Sequence, residues 1–238
     1  ISSGSGLQLN GLNTYSGNTT VGINNLGLDA DATIGSGMLN LAGGGLVFTA
    51  SRTTPLANPI NMSADTFIYA VGAPADVLVE FSSSSITGSA GTLTFVNGTC
   101  CSITNLFETR FSGSFTFSRP VVVTNNNYQP AFYTGKTRLT SFNTNGTTQT
   151  YNGVISGDGS FRRSASAGGG GVTVFNAINS YSGTTLIDNG TLLVNGSLST
   201  NTVTVTNLGA LGGNGTIRGP VLVQNGGTLA PGTSIGRL

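Results

Sequence analysis

Val203-Thr204-Val205-Thr206-Asn207-Leu208-Gly209-Ala210-Leu211 returns, one unit later, as Val221-Leu222-Val223-Gln224-Asn225-Gly226-Gly227-Thr228-Leu229. Beyond it, Ile217 returns as Ile235 at the same offset. One unit back, Ile187, Asn189 and Leu193 precede Val205, Asn207 and Leu211 by that same offset. Within a copy the valines alternate with other residues, which places both valines on one face of a strand. Asn and Gly follow, and both tolerate the positive φ of a tight turn. A unit of about 18 residues cannot bury its own apolar face, so it must stack on copies of itself. In-register stacking sets Val on Val and Asn on Asn at about 4.8 Å per coil. The fold expected is all-β, a right-handed parallel β-helix of about ten coils of roughly 18–25 residues, hence about 50 Å long.

The pattern extends outward unevenly. Residues 1–50 and 151–238 read as regular repeat coils. Residues 51–150 hold most of the aromatics and five of the prolines, and read as wider coils on the same axis. Phe111, Phe115 and Phe117 are evenly spaced, as one strand face requires. The whole chain is read as a single solenoid. Composition agrees: 37 glycines and only 7% charged residues, with β-branched residues in short strings between Gly and Asn.

Several classes of function are disfavoured by inventory. Formal net charge is +1 and the basic residues are scattered, so no nucleic-acid face is expected. No apolar run reaches the roughly 20 residues of a membrane span. The chain contains no histidine, which removes His-based triads and the usual His metal sites. Neither metal nor cofactor is expected. Cys100 and Cys101 are adjacent, and are read as half-buried thiols or as disulfide partners, to each other or to another chain.

Two longer segments carry a family likeness. Asn13-Thr14-Tyr15-Ser16-Gly17-Asn18-Thr19-Thr20-Val21 is echoed by Asn179-Ser180-Tyr181-Ser182-Gly183-Thr184-Thr185-Leu186, which runs on to Gly190-Thr191-Leu192-Leu193-Val194. Both resemble the autotransporter-associated β-strand repeat, also called the passenger-associated transport repeat. Leu211-Gly212-Gly213-Asn214-Gly215-Thr216-Ile217 and Gly227-Thr228-Leu229-Ala230-Pro231-Gly232 are similar to the segment that often follows such repeats. The resemblance covers a third to a half of the chain. It implies a bacterial secreted or surface-displayed β-helix, extracellular in location. The residues that define the repeat here are Tyr15, Gly17, Tyr181 and Gly183, with Val205/Val223, Asn207/Asn225, Leu211/Leu229 and Ile217/Ile235.

Parallel β-helices also include carbohydrate-active enzymes, which need clustered carboxylates. The carboxylates here are Asp29, Asp31, Asp65, Asp76, Glu80, Glu108, Asp158 and Asp188. Asp29/Asp31 and Asp76/Glu80 are the closest pairs and read as turn caps, as does Asp158 in Ser156-Gly157-Asp158-Gly159. Asp76 and Glu80 would meet Arg110 only if their coils align. Gly168 to Gly171 is followed by no Lys-Ser/Thr and reads as a turn, not a phosphate cradle. Asn-x-Ser/Thr occurs at Asn18, Asn61, Asn97, Asn145, Asn189, Asn195 and Asn214, and turn chemistry accounts for most. Glycans on the Ser-, Thr- and Asn-rich surface are a further expectation.

The chain opens at Ile1 inside a strand pattern, so it is expected to be processed or a piece of something longer. Leu7, Leu9 and Ile235 leave neither end capped. The expected partners are therefore flanking coils or further copies stacked end to end, which would build a fibre or filament. The function expected is a non-enzymatic structural stalk or fibre subunit. An adhesin passenger is the alternative, with the aromatic middle as its binding region, and a carbohydrate-active enzyme stands third.

Overall fold

A computed structural model describes residues 6–71, 75–83, 85–97, 105–125, 136–142, 146–166, 169–199 and 201–232. Among these residues there are strands and no helix, and every pairing between the strands is parallel. The chain is a parallel β-helix built on three faces.

The first face is a seven-stranded sheet that begins with Leu7–Leu9, Leu26–Leu28, Gly45–Phe48 and Thr66–Ala70. Leu93–Asn97, Val121–Thr124 and Ile155–Ser156 complete it. It continues through Ser180, whose N–H donates to the Ile155 carbonyl at 2.9 Å, toward the paired strands Ser197–Leu198 and Thr216–Ile217. The second face runs from Val77–Phe81 through Leu106–Phe111, Lys136–Phe142, Ser160–Ser164, Thr185–Ile187 and Val203–Val205 to Val221–Val223. The third begins with Thr19–Val21, Leu39–Leu41, Ile60–Met62 and Ile86–Gly88. Against its last strand lies Phe115–Phe117, the first of six strands that end at Thr228–Pro231. A strand on each face followed by a corner closes one coil. The ladder to the next coil then satisfies the strand backbone that a lone coil would leave open.

The register gives the width of each coil. Val203 pairs with Val221, and Leu211 with Leu229, so the offset of the sequence repeat is the offset of the ladder. The middle coils are wider: one runs from Val77 round to its partner Phe107, and another from Phe115 round to Gln149. One sequence-level alignment is corrected: Leu192, not Leu193, pairs with Leu211. The turn Asp188-Asn189 between Ile187 and Gly190 is one residue shorter than Thr206-Asn207-Leu208 between Val205 and Gly209, so the pairing slips by one. Because side chains alternate, the slip decides burial: Leu192 and Val194 lie in the core, and Leu193 points away.

The same turns show why glycine matters at one position. Gly209 N–H donates to Thr206 O at 3.0 Å, and Gly227 N–H to Gln224 O at 2.9 Å. The residue before each has positive φ: Leu208 at 70° and Gly226 at 81°. A leucine in this conformation is strained, and Leu208 is 65% exposed, so its side chain is not needed for packing. Leu208→Gly is expected to raise stability by about 0.5–1 kcal/mol, the relief of left-handed strain less glycine's larger chain entropy. A higher midpoint in urea denaturation, at unchanged slope, is the result to look for.

Inside runs a column of aromatic rings. Phe48, Phe81, Phe111, Phe115, Tyr151, Phe175, Phe161 and Tyr181 are each within 6.4 Å of the next, centroid to centroid. All are buried. Phe111 and the pair Phe115/Phe117 share this interior but not a strand. Phe111 ends a strand of the second face and Phe115–Phe117 forms one of the third, with the corner 112–114 between them. Their even spacing survives because both strands turn the same parity inward.

Candidate functional site

Asparagines and four of the carboxylates hold the corners, whereas Glu80 and Glu108 lie within strands. Asn152, Asn176 and Asn195 form a ladder on the outside: Asn176 donates Nδ2–H to Asn152 Oδ1 at 2.8 Å, and Asn195 to Asn176 Oδ1 at 3.0 Å. Asp65 accepts from Thr92 N–H, and Asp76 from Leu106 N–H, both at 2.8 Å. Asp31 accepts from the N–H groups of Thr53 and Thr54, and Asp158 from that of Asn125. Each carboxylate thus braces a turn of an adjacent coil where the ladder is interrupted. Among the described residues no three His, Cys, Asp or Glu gather as metal ligands would.

The two Tyr-Ser-Gly copies share local geometry but not a face. Tyr15 Oη lies 2.6 Å from Thr19 Oγ1, and Tyr181 Oη 2.7 Å from Thr185 Oγ1. Thr19 opens a strand of the third face, whereas Thr185 opens one of the second. The motif is a corner device that leads into a strand on whichever face follows. Tyr181 is buried against Phe161, and its burial raises the phenol's pKa, opposed by hydrogen bonds to Thr185 and Asn201. Tyr15 is 41% exposed. Gly183 allows close approach, since a Cβ there would collide with Gly159 O, while Gly17 faces open space. Val205 and Leu211 are core residues, Ile217 and Leu229 pack against that core, Val223 is exposed, and Asn207 and Asn225 are exposed at their turns. Cys100, Cys101 and Ile235 lie outside the described residues, as do Tyr128, Phe132 and Tyr133 of the aromatic middle.

The outer side of the second face carries a feature that spacing did not reveal. Glu108 is flanked by Arg110 Nε at 2.8 Å, by Arg138 Nη2 in a short ion pair, and by Arg162 Nη1 at 4.0 Å. Arg162 also pairs with Asp188. These residues come from three adjacent strands and the end of a fourth, brought into line by the register Glu108↔Arg138 and Thr140↔Arg162. Glu80 does lie beside Arg110 in the ladder, but the carboxylate that pairs with Arg110 is Glu108. Phe142 lies under the Arg110 guanidinium, 4.9 Å from its ring centroid. The arginine side chains remain about one quarter exposed.

Burial alone would raise the Glu108 carboxyl, but hydrogen bonds and charge from Arg110 and Arg138 bring it below the ordinary glutamate value. A carboxylate held ionised by guanidinium groups is a poor general acid. The strip can instead present flat guanidinium groups, carboxylates and one aromatic ring to a partner. Its contribution to stability is full above about pH 4.5, the ordinary value. That contribution falls as pH drops through the depressed folded value. Glu108→Gln is expected to cost about 1.5–3 kcal/mol at neutral pH, and to flatten the acid limb of a plot of denaturation midpoint against pH. The cluster escaped sequence reading because its members lie far apart along the chain, from Glu108 to Asp188, in coils of unequal width.

No family model matches the chain, and no solved structure matches it. A stretch of 95 residues is 40% identical to the adhesin BmaC autotransporter of Brucella suis biovar 1 (strain 1330), covering 39% of this chain and 3% of that protein. The chain thus spans a small fraction of the curated relative it matches. This stretch is similar to part of an autotransporter adhesin.

Proposed function

We propose that this chain is a β-helical segment of a bacterial passenger, secreted or displayed at the cell surface, that acts by adhesion and as a stalk rather than by catalysis. The observation that carries the reading is the likeness to an autotransporter adhesin. The fold supports it, because a stack of parallel coils is an extended scaffold with long lateral faces. The motif resemblance to passenger-associated repeats points the same way. The arginine–carboxylate strip with Phe142 is the face offered for contact.

Beads coated with the whole chain are the test. They are expected to attach to a cultured cell monolayer above albumin-coated beads, and to detach as salt rises if the charged strip carries the contact. Attachment no better than albumin at every salt concentration would remove the adhesive role and leave the stalk. Val221, Leu222 and Val223 are all exposed on the last strand of the second face, and this reading has further coils, from flanking chain or from a second copy, stacking there. Negative-stain images of the purified chain are expected to show end-to-end association. Uniformly single short rods would assign that surface to flanking coils.

A further inference from the structure

Arg52 is buried to 6% exposure, yet among the described residues it has no salt-bridge partner. Buried charges are as a rule paired. Asp31, whose charge acts on it, spends its carboxylate on the N–H groups of Thr53 and Thr54 and the hydroxyl of Thr53. Arg52 is held instead by two backbone carbonyls, Nη1 to Ala30 O at 2.6 Å and Nε to Thr54 O at 3.3 Å. These occupy two of the five N–H donors of a guanidinium. Ala30 itself has a φ of 36°, a strained conformation for a residue with a side chain.

The side chain lines a cleft of about 280 Å³ between two coils. Pro55 gives the cleft an exposed apolar wall, and Ile34 and Leu56, both core residues, lie behind it. Asn58 donates Nδ2–H to Gly35 O at 3.1 Å and to Gly37 O at 2.8 Å, which leaves Oδ1 as an acceptor. Ser36 adds a hydroxyl to the lining. The cleft therefore offers a desolvated cation locked in place, a hydrogen-bond acceptor, a hydroxyl and an apolar surface. Burial lowers the Arg52 pKa against the opposing pull of Asp31, so a second anion would relieve an uncompensated cost.

We propose that this cleft binds a carboxylated monosaccharide unit, with Arg52 taking the carboxylate, Asn58 and Ser36 the ring hydroxyls, and Pro55 the apolar ring face. The site would serve the adhesive reading above, on which its biological use rests. Its volume falls just below the range of drug-sized pockets, which suits one sugar ring.

The test is a heteronuclear NMR titration of the intact chain with D-glucuronate and, separately, with D-glucose. Saturable shifts are expected at the amides of Ile34, Gly35, Leu56 and Asn58 and at the Arg52 Nε–H, with glucuronate bound at least tenfold more tightly than glucose. Ala57→Trp, on the exposed lip of the cleft, is expected to abolish these shifts while leaving the rest of the spectrum in place. Arg52→Lys, which keeps the charge but loses the planar fork, is expected to weaken glucuronate binding about tenfold. Absent shifts, equal affinity for glucose, or binding that survives Ala57→Trp would overturn the site. The titration reads the cleft whether or not the chain adheres to cells. If coated beads attach but glucuronate does not bind, the site alone fails.

Discussion

Replacing Arg163 with alanine is expected to destabilise the chain by about 3–5 kcal/mol, the usual cost of breaking a buried charged contact. Unlike its neighbour Arg162, which points outward, Arg163 points into the solenoid and is fully buried. Its Nη2–H donates to Gly171 O at 2.6 Å and its Nη1–H to Ser141 O at 3.3 Å, with a further short bond to Ser164 O. Those carbonyls flank the corner between the second and third faces, so one guanidinium ties two coils and two faces together. Burial lowers the guanidinium to a pKa of about 10, with Asp188 and Tyr151 opposing, so it stays charged at neutral pH. Removing it strips donors from the corner and leaves a void next to Gly190. That glycine has a φ of 74°, and a Cβ on it would collide with Arg163 Nη2. A shift in the guanidinium-chloride midpoint of Arg163→Ala, set against Arg162→Ala, checks this. The outward neighbour should lose clearly less.

Phe161→Ala is the second large effect, expected to cost about 3–5 kcal/mol. The Phe161 ring lies 4.7 Å from that of Phe175 and 6.4 Å from those of Tyr151 and Tyr181. It joins the wide aromatic coils to the narrow valine coils. The cavity left by alanine sits where rigid parallel ladders restrict collapse from every side. Tyrosine fluorescence during denaturant unfolding reads the loss, because Tyr151 and Tyr181 border the cavity. Substituting Leu at the same position should recover more than half of it, since volume and apolarity are largely kept.

How much of this was legible in the sequence follows from which interactions are local. The alternation Val203-Thr204-Val205 and the Asn-Gly turns specify strand, corner and stack from neighbouring residues alone, so the parallel all-β class could be read directly. Pairing over longer distances could not. Leu193 looked equivalent to Leu211 until a turn one residue shorter shifted the register to Leu192. Tyr15 and Tyr181 share a motif and a tyrosine–threonine contact, yet precede strands on different faces. The Glu108 strip and the Arg52 cleft depend on coils of unequal length meeting side by side. Their spacing is set by turns whose lengths no periodicity encodes. Arg163 carries no sequence signal at all. Adjacent to Arg162, it reads as surface charge until the strand's parity turns it inward.

The aromatic column, the charged strip and the cleft all stand on the in-register parallel pairing of successive coils, which a cysteine cross-link tests most directly. Thr204 and Leu222 are Cα partners on adjacent strands of the second face, at a separation of about 4.8 Å, within the range a disulfide spans. With Cys100 and Cys101 replaced by serine, Thr204→Cys paired with Leu222→Cys is expected to oxidise rapidly and within one molecule. Thr204→Cys paired with Gln224→Cys, offset by two residues, is expected to oxidise far more slowly. Equal rates, or a preference for the offset pair, would contradict the register and the account built on it.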